Sequence, residues 1–305
     1  MHFLMTVDVE SFSIPLNRCD RGMAEEVAKL GLPRLLDLFS KYDVSSTFYF
    51  TGEFTSLFPD AIDLVQDNGH EIGCHGYFHD PERSFDILSY DEQVKDLQRA
   101  KDLIESVAGS IESFRAPALR INTDTVRALE ATKFRSDSSI CPQRFDGPFT
   151  FGSKKKLKWL IAPRKPYMIS YDSIVKHGAS NILEIPISAA IVPFIGTTMR
   201  VSPVLTKLVR KYLYFESKRT NKPIVFLFHP NECVNVGKIV LATRRTKNPI
   251  EYLFGDIIRQ KLKLKNLGLA SLKLLDEVLS SAAGCGFEFI CAHEYTKMYK
   301  ANWRK

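Results

Sequence analysis

The chain has 305 residues, 45% of them hydrophobic and 25% charged, the balance of a globular protein able to bury a sizeable core. That composition excludes collagen, a coiled coil and an intrinsically disordered chain, and apolar runs no longer than a strand exclude a membrane-spanning helix of ~20 residues. The net charge of +7 favours an acidic partner: nucleic acid, an anionic membrane surface or a phosphorylated substrate.

The excess positive charge is uneven. Lys154, Lys155, Lys156 and Lys158 form one cluster, and Arg244, Arg245, Lys247, Arg259, Lys261, Lys263 and Lys265 another. Six cysteines (Cys19, Cys74, Cys141, Cys233, Cys285, Cys291) are scattered with no C-x-x-C pair, which reads as free thiols in a reducing compartment.

In chain order, Phe3 to Val7 reads as a first strand rather than a signal peptide, because it lacks a basic lead-in and runs straight into Asp8 and Glu10. The expected location is therefore the cytoplasm. Pro33 to Tyr42 has the form of a helix with proline in its first turn, and Ser45 to Phe50, rich in aromatic and β-branched residues, that of a strand. A helix ends before Asn68-Gly69, and a short strand follows at Glu71 to Cys74. Ser89 to Ala108 carries a capping box (Ser89, Glu92), helically spaced Val94, Leu97, Leu103, Ile104 and Val107, and a closing Gly109.

Further strands are expected at Ser113 to Arg115, Arg135 to Asp137, Ile182 to Ile185, Ile224 to Phe228 and, last, Phe287 to Cys291. Helices at Thr123 to Ala131, Val204 to Tyr214 and Ser271 to Ala283 lie among them. This alternation predicts a parallel α/β sheet in one domain spanning 1–305, with elaborations near 141–180 and 236–267.

Parallel α/β sheets collect their chemistry at the carboxyl ends of strands. Asp8 and Glu10 follow the first strand and, two positions apart on an extended backbone, point the same way. His75 and His79 follow Glu71 to Cys74, and His229-Pro230 follows Ile224 to Phe228. Two imidazoles and a carboxylate with open positions are a ligand set for a hydrolytic Zn²⁺ or another divalent transition metal. A further carboxylate and a separate histidine then serve as general base and general acid. Each element alone has a plainer reading: an H-x-x-x-H pair occurs by chance on exposed helices, and strand-end acids are often solvated. Their joint occurrence at successive strand ends favours chemistry.

Gly69-His70-Glu71-Ile72-Gly73-Cys74-His75-Gly76-Tyr77-Phe78-His79 resembles the second motif of the polysaccharide deacetylases, the NodB-like carbohydrate esterases. Ser46 to Gly52 is similar to the family's second strand, Phe114-Arg115-Ala116-Pro117 to its third motif, and Phe226-Leu227-Phe228-His229-Pro230 to its last. The resemblance implies a distorted (β/α) barrel of about seven strands and hydrolysis of an N-acetyl group on an amino sugar. By the same resemblance His75 and His79 bind one divalent metal ion, Zn²⁺ first, with Co²⁺ and Ni²⁺ as alternatives. Asp8 is the general base, Arg115 tethers it, and His229 protonates the departing amine. A backbone N–H near Tyr49 to Thr51 or Gly76 helps to stabilise the oxyanion, and Pro117 and Tyr77 are the candidate substrate contacts.

The family's usual first motif has two adjacent aspartates, whereas Val9 stands at the second position here. Glu10, on the same side of the strand as Asp8, is assigned as the replacement ligand, a D-x-E variant. Asp137 and Glu184, at the ends of two other strands, are candidates to orient His229.

Two other functions compete. One is an allantoinase- or imidase-like opening of cyclic amides on the same fold, with a weakened metal site. The other is a non-catalytic protein binding carbohydrate or another anionic ligand. A specific nucleic-acid partner is not expected, because Tyr252 and Phe254 lie between the basic clusters rather than among them, and Phe254 falls into a helical apolar pattern. The charge favours an N-acetylated sugar linked to phosphate, nucleotide or lipid, with peripheral contact at the inner face of the membrane.

Overall fold

In the computed structural model, described for residues 1–142, 159–235, 248–249 and 252–303 (without the side chains of 254–256, 259 and 303), one curled nine-stranded sheet organises the chain. Its strands are β1 (His2–Val9), β4 (Ser46–Phe50), β5 (Glu71–Cys74), β6 (Ser113–Phe114), β7 (Ser136–Asp137), β8 (Tyr167–Met168), β9 (Leu183–Glu184), β12 (Ile224–Phe228) and β13 (Glu288–Phe289). Four two-residue strands form two small hairpins: β2 (Phe12–Ser13) with β3 (Arg18–Cys19), and β10 (Ala189–Ala190) with β11 (Val192–Pro193). The main order is β12-β1-β4-β5-β6-β7-β9-β8, with β13 against the start of β1. All pairings along it are parallel except the last, β8 on β9.

The helices are α1 (Arg21–Glu26), α2 (Leu32–Ser40), α3 (Gly52–Leu57), α4 (Asp60–Asp67), α5 (Tyr90–Ala108), α6 (Thr123–Ala131), α7 (Gly196–Val201), α8 (Pro203–Thr220), α9 (Arg259–Lys263), α10 (Leu269–Gly284) and α11 (Ala292–Trp303). This is the curled, barrel-like α/β fold that the motifs implied. Seven mutually parallel strands (β1, β4, β5, β6, β7, β9, β12) form its main path. Among the described residues the basic cluster at Lys154 to Lys158 does not appear, nor do Arg244, Arg245 and Lys247; the side chains of Phe254 and Arg259 also lie outside.

β1, β4 and β12 are buried along nearly their whole length, which is why they read as continuous apolar runs: each is covered on both faces. α5 starts on the predicted capping box of Ser89 and Glu92. The helix expected at Pro33 to Tyr42 proved to be the second half of a longer one. α1 leads through a π-helical turn at Val27–Gly31 directly into α2. Gly31 explains the deviation, since a Cβ there would lie 2.6 Å from the Pro230 carbonyl oxygen. The backbone presses against the turn that carries His229, and only glycine leaves room.

The Gly-His-Glu-Ile-Gly run before the histidine pair has a structural task. His70 packs between Phe39 and Phe48, and burial depresses its pKa to about 4, so it is neutral. Glu71 accepts hydrogen bonds from Thr47 on β4 (2.7 Å), Ser113 on β6 and the His293 amide of α11 (3.0 Å), binding three elements at the amino end of the sheet. At Gly73 a Cβ would lie 2.7 Å from the Tyr49 ring and 3.0 Å from the Ser113 carbonyl oxygen. Both obstacles are fixed, by burial and by the β-ladder. We therefore expect Gly73→Ala to lower stability by about 1–3 kcal/mol, read as a drop in the urea midpoint at constant m-value.

Candidate active site at the carboxyl ends of the strands

β1 carries Asp8 and delivers Glu10 just past its end, while β5 ends at Cys74, immediately before His75. The acid oxygen of Glu10 and ring nitrogens of His75 and His79 all lie within 4.8 Å of one another. Nε2 of His75 is 3.5 Å and Nε2 of His79 3.2 Å from Glu10 Oε2. That oxygen is buried and has no hydrogen-bond partner among the described residues. Nδ1 of His75 lies 2.7 Å from the Arg115 carbonyl, which can only accept, so Nδ1 holds the proton and Nε2 turns a lone pair inward. Three donors aimed at one point, with an orphaned buried carboxylate oxygen among them, fit a divalent cation.

Burial by itself would raise the Glu10 pKa, but the neighbouring imidazoles, His79 first, outweigh it and hold the carboxyl at about 2. Burial lowers the pKa of His79. Cys74 is fully buried, and burial pushes its thiol to about 12, so it offers no thiolate beside the histidines.

Asp8 faces the same space. Its Oδ1 accepts from Arg115 Nη1 at 2.8 Å, leaving Oδ2 3.7 Å from His75 Nε2 and 3.8 Å from His229 Nε2. Arg115 is wholly buried. It also donates to the Ser138 carbonyl (2.9 Å) and hydroxyl (2.7 Å), and its guanidinium stacks 4.5 Å from the centre of the Tyr49 ring.

His229 follows β12 and is partly open to solvent. Its Nδ1 lies 3.1 Å from Glu232 Oε1, one helical turn on, and the other Glu232 oxygen accepts from Arg200 of α7. Burial opposes an imidazolium here, but the hydrogen bond that His229 gives to Glu232 and the charges of Glu10, Asp8 and Glu232 raise its pKa to about 9. Arg200 is anchored in turn on the carbonyls of Lys263 (2.6 Å) and Lys265 (2.9 Å).

Glu232 and Arg200 were absent from the sequence-based candidates. The acid three residues after His229, in His-Pro-Asn-Glu, was a readable signal; Arg200, 32 positions from Glu232, was not. Asp137 and Glu184, expected to orient His229, are not its partners. They sit opposite each other on β7 and β9, fully buried. Asp137 Oδ1 accepts from Ser139 at 2.5 Å and Glu184 Oε1 from the Ile140 amide at 2.9 Å. Of the amides considered for an oxyanion, that of Thr51 donates to Val9 (3.1 Å) and that of Gly76 to the Cys74 sulfur. Tyr77 is buried against Gly52, with its hydroxyl accepting from Arg99 (2.9 Å), and Pro117 packs near Gly76. The β2–β3 hairpin covers the site: Phe12 meets the His79 ring with centroids 5.4 Å apart, and Cys19 donates to the His79 carbonyl.

Residues 20–136 match the family model of the polysaccharide deacetylases. Over 118 residues the chain is 30% identical to the peptidoglycan deacetylase of Helicobacter pylori, covering 38% of this chain and 39% of that protein. Over 145 residues it is 26% identical to the peptidoglycan-N-acetylmuramic acid deacetylase of Bacillus subtilis, covering 47% and 49%. The chain thus spans between about two fifths and a half of the length of these curated relatives. A crystal structure of a putative polysaccharide deacetylase from Mycobacterium smegmatis superposes with a TM-score of 0.65 at 18% identity, over 99% of this chain and 90% of that one. A crystal structure described as Puue allantoinase gives 0.61 at 14%, over 98% and 90%. These two likenesses establish a common fold. The segment that matches the polysaccharide deacetylase model, residues 20–136, contains His75, His79 and Arg115, and the sheet brings Asp8, Glu10 and His229 to them from outside that segment.

The buried acid pair has a consequence for stability. Burial is the main cause raising Asp137 from 3.8 to about 6 and Glu184 well above the carboxylate range, with the charge of Asp137 adding to the latter. An acid whose pKa is raised on folding favours the folded state fully below its unfolded value, and that contribution fades as pH climbs through the folded value. Wild-type stability should therefore fall between about pH 4 and about pH 6 relative to Asp137→Asn, by on the order of 2 kcal/mol. Urea unfolding of both proteins across that range checks it; parallel curves would refute the assignment.

Proposed function

We propose that the chain hydrolyses the N-acetyl amide of an amino-sugar substrate. The observation that carries this reading is the convergence of three separately braced units on one cleft: Glu10 with His75 and His79, Asp8 held by Arg115, and His229 held by Glu232. The match of residues 20–136 to the polysaccharide deacetylase model supports an N-acetylated sugar as the substrate class.

Glu10, His75 and His79 would hold a divalent cation, with Zn²⁺ the first candidate. Bound there, such an ion supplies Lewis-acid chemistry, polarising the amide carbonyl and acidifying water. Asp8 takes the proton from the attacking water through Oδ2, the oxygen that Arg115 leaves free. Arg115 fixes the direction of that oxygen. His229 enters the cycle protonated, because Glu232 and the neighbouring carboxylates stabilise its charge, and gives its Nε2 proton to the departing amine. The cyclic-amide alternative was tied to a weakened metal site; three converging donors favour the deacetylase.

The finer substrate assignment is an amino sugar carrying phosphate, nucleotide or a lipid-linked phosphate. Lys263 supports it by standing 5.5 Å over the Phe12 ring, which itself packs on His79, so a cation lies at the rim of the cleft. Location in the cytoplasm and organisation as a single domain over 1–305 belong to the same proposal.

Metal analysis of the purified protein tests the reading. We expect one bound divalent ion per chain, lost in both His75→Ala and Glu10→Ala. His229→Ala should retain the ion and lower kcat on an acetylated amino sugar by about 10²–10⁴ with KM little changed. Hydrolysis of a cyclic amide with no release of acetate from acetylated sugars would transfer the assignment to the alternative activity.

A further inference from the structure

α8 has two faces of opposite character. Thr206, Val209, Leu213, Tyr214 and Ser217 point into the core. On the other side Val204, Leu208, Tyr212 and Phe215 recur at helical spacing and stand in solvent, with 74%, 59%, 48% and 54% of their surface exposed. Singly exposed apolar residues need no explanation, but a contiguous row does.

A second element extends the row. Arg164 donates to the Ala189 carbonyl (3.1 Å) and to Glu216 (2.7 Å), tying the β10–β11 hairpin to α8. Ile191, at the tip of that hairpin, is 79% exposed and has a φ of +68°. A β-branched side chain in the left-handed region is strained, and at a turn where glycine or asparagine would serve, an exposed isoleucine gains nothing from the fold itself.

Charge decides what such a face can meet. Lys207, Lys211 and Lys218 form a parallel row along one border of the stripe, at the same helical spacing, and Arg219 stands over the Phe215 ring at 4.5 Å. The acid of this helix, Glu216, already answers Arg164 and Lys222. Self-association through this face is disfavoured, because a two-fold contact would bring lysine row against lysine row. Apolar side chains that can sink to the acyl boundary, edged by lysines long enough to reach headgroups, are the complement of an anionic bilayer. Among the described residues no helix is long and apolar enough to cross a membrane, so this would be contact at the surface.

We infer that the exposed face of α8, with Ile191 at its side, docks the protein on an anionic lipid surface. The structure presents the combination of apolar row and lysine border on α8. The stripe begins at Val204, four residues after Arg200, which holds Glu232 and through it His229. The docked face therefore lies close in the chain to the machinery of the cleft, yet contains none of its residues.

Co-sedimentation of the full-length protein tests this, using vesicles of phosphatidylcholine alone and of phosphatidylcholine mixed with phosphatidylglycerol. Binding should be at least ~10-fold stronger to the mixed vesicles and should weaken as salt rises. Leu208→Glu, Phe215→Glu and Ile191→Asp should each reduce it while leaving the thermal midpoint and hydrolysis of a soluble substrate unchanged. The triple change Lys207→Ala, Lys211→Ala, Lys218→Ala should remove the preference for the anionic vesicles. Absence of binding, equal binding to both vesicle types, or no effect of the four charge-introducing and charge-removing variants would overturn the inference. So would a dimer in light scattering that Leu208→Glu dissolves, which would make the face a contact between copies.

Discussion

The guanidinium of Arg115 is the interaction on which the site depends. A wholly buried cation is costly unless it is paired and its donors are satisfied. Here it meets the Asp8 carboxylate, the backbone and hydroxyl of Ser138, and the face of Tyr49. Its own carbonyl accepts from His75 Nδ1, so the residue that aims the proposed base also sets the tautomer of a proposed metal ligand. β1, β4, β5, β6 and β7 all contribute to this one arrangement, which makes strand register a determinant of the chemistry. The room for Tyr49 depends in turn on the missing side chain at Gly73.

His229 is braced independently, from the other side of β1. Glu232 holds its Nδ1, Arg200 holds Glu232, and the carbonyls of Lys263, which ends α9, and Lys265 hold Arg200. Close backbone approach makes the brace possible: a Cβ on Gly196 would lie 2.6 Å from both Glu232 carboxylate oxygens, as one on Gly31 would meet Pro230. The two braces meet only across the cleft, where Asp8 Oδ2 and His229 Nε2 are 3.8 Å apart. Base and acid can thus be oriented separately while sharing one substrate space.

The interior also carries a cost. Asp137 and Glu184 face each other at full burial, each with an oxygen lacking a hydrogen-bond partner among the described residues, beside the Arg115 layer. Such a pair is tolerated where at least one member keeps its proton, and the positive charge of Arg115 lowers the cost of ionising the other.

The strands that carry the cleft were legible because burial on both faces leaves continuous apolar runs, as in Ile224 to Phe228, and because polar residues interrupt those runs only at their ends. The two-residue period of a strand placed Asp8 and Glu10 on one side without any knowledge of the fold. His75 and His79 were legible through glycines that break a helical reading. The partners were not legible. Arg200 meets Glu232, and Asp137 meets Glu184, across separations that only the curl of the sheet closes; strand-end acids look alike until their neighbours are known. The π-helical turn before α2 escaped for the same reason, since its cause, the Pro230 carbonyl against Gly31, lies about 200 positions away. The sequence by itself determined which residue types stand at the strand ends, a matter of local periodicity. Tertiary structure alone decided which of them share a proton, a charge or a metal-sized space, because those relations depend on distances of a few ångströms between segments remote in the chain.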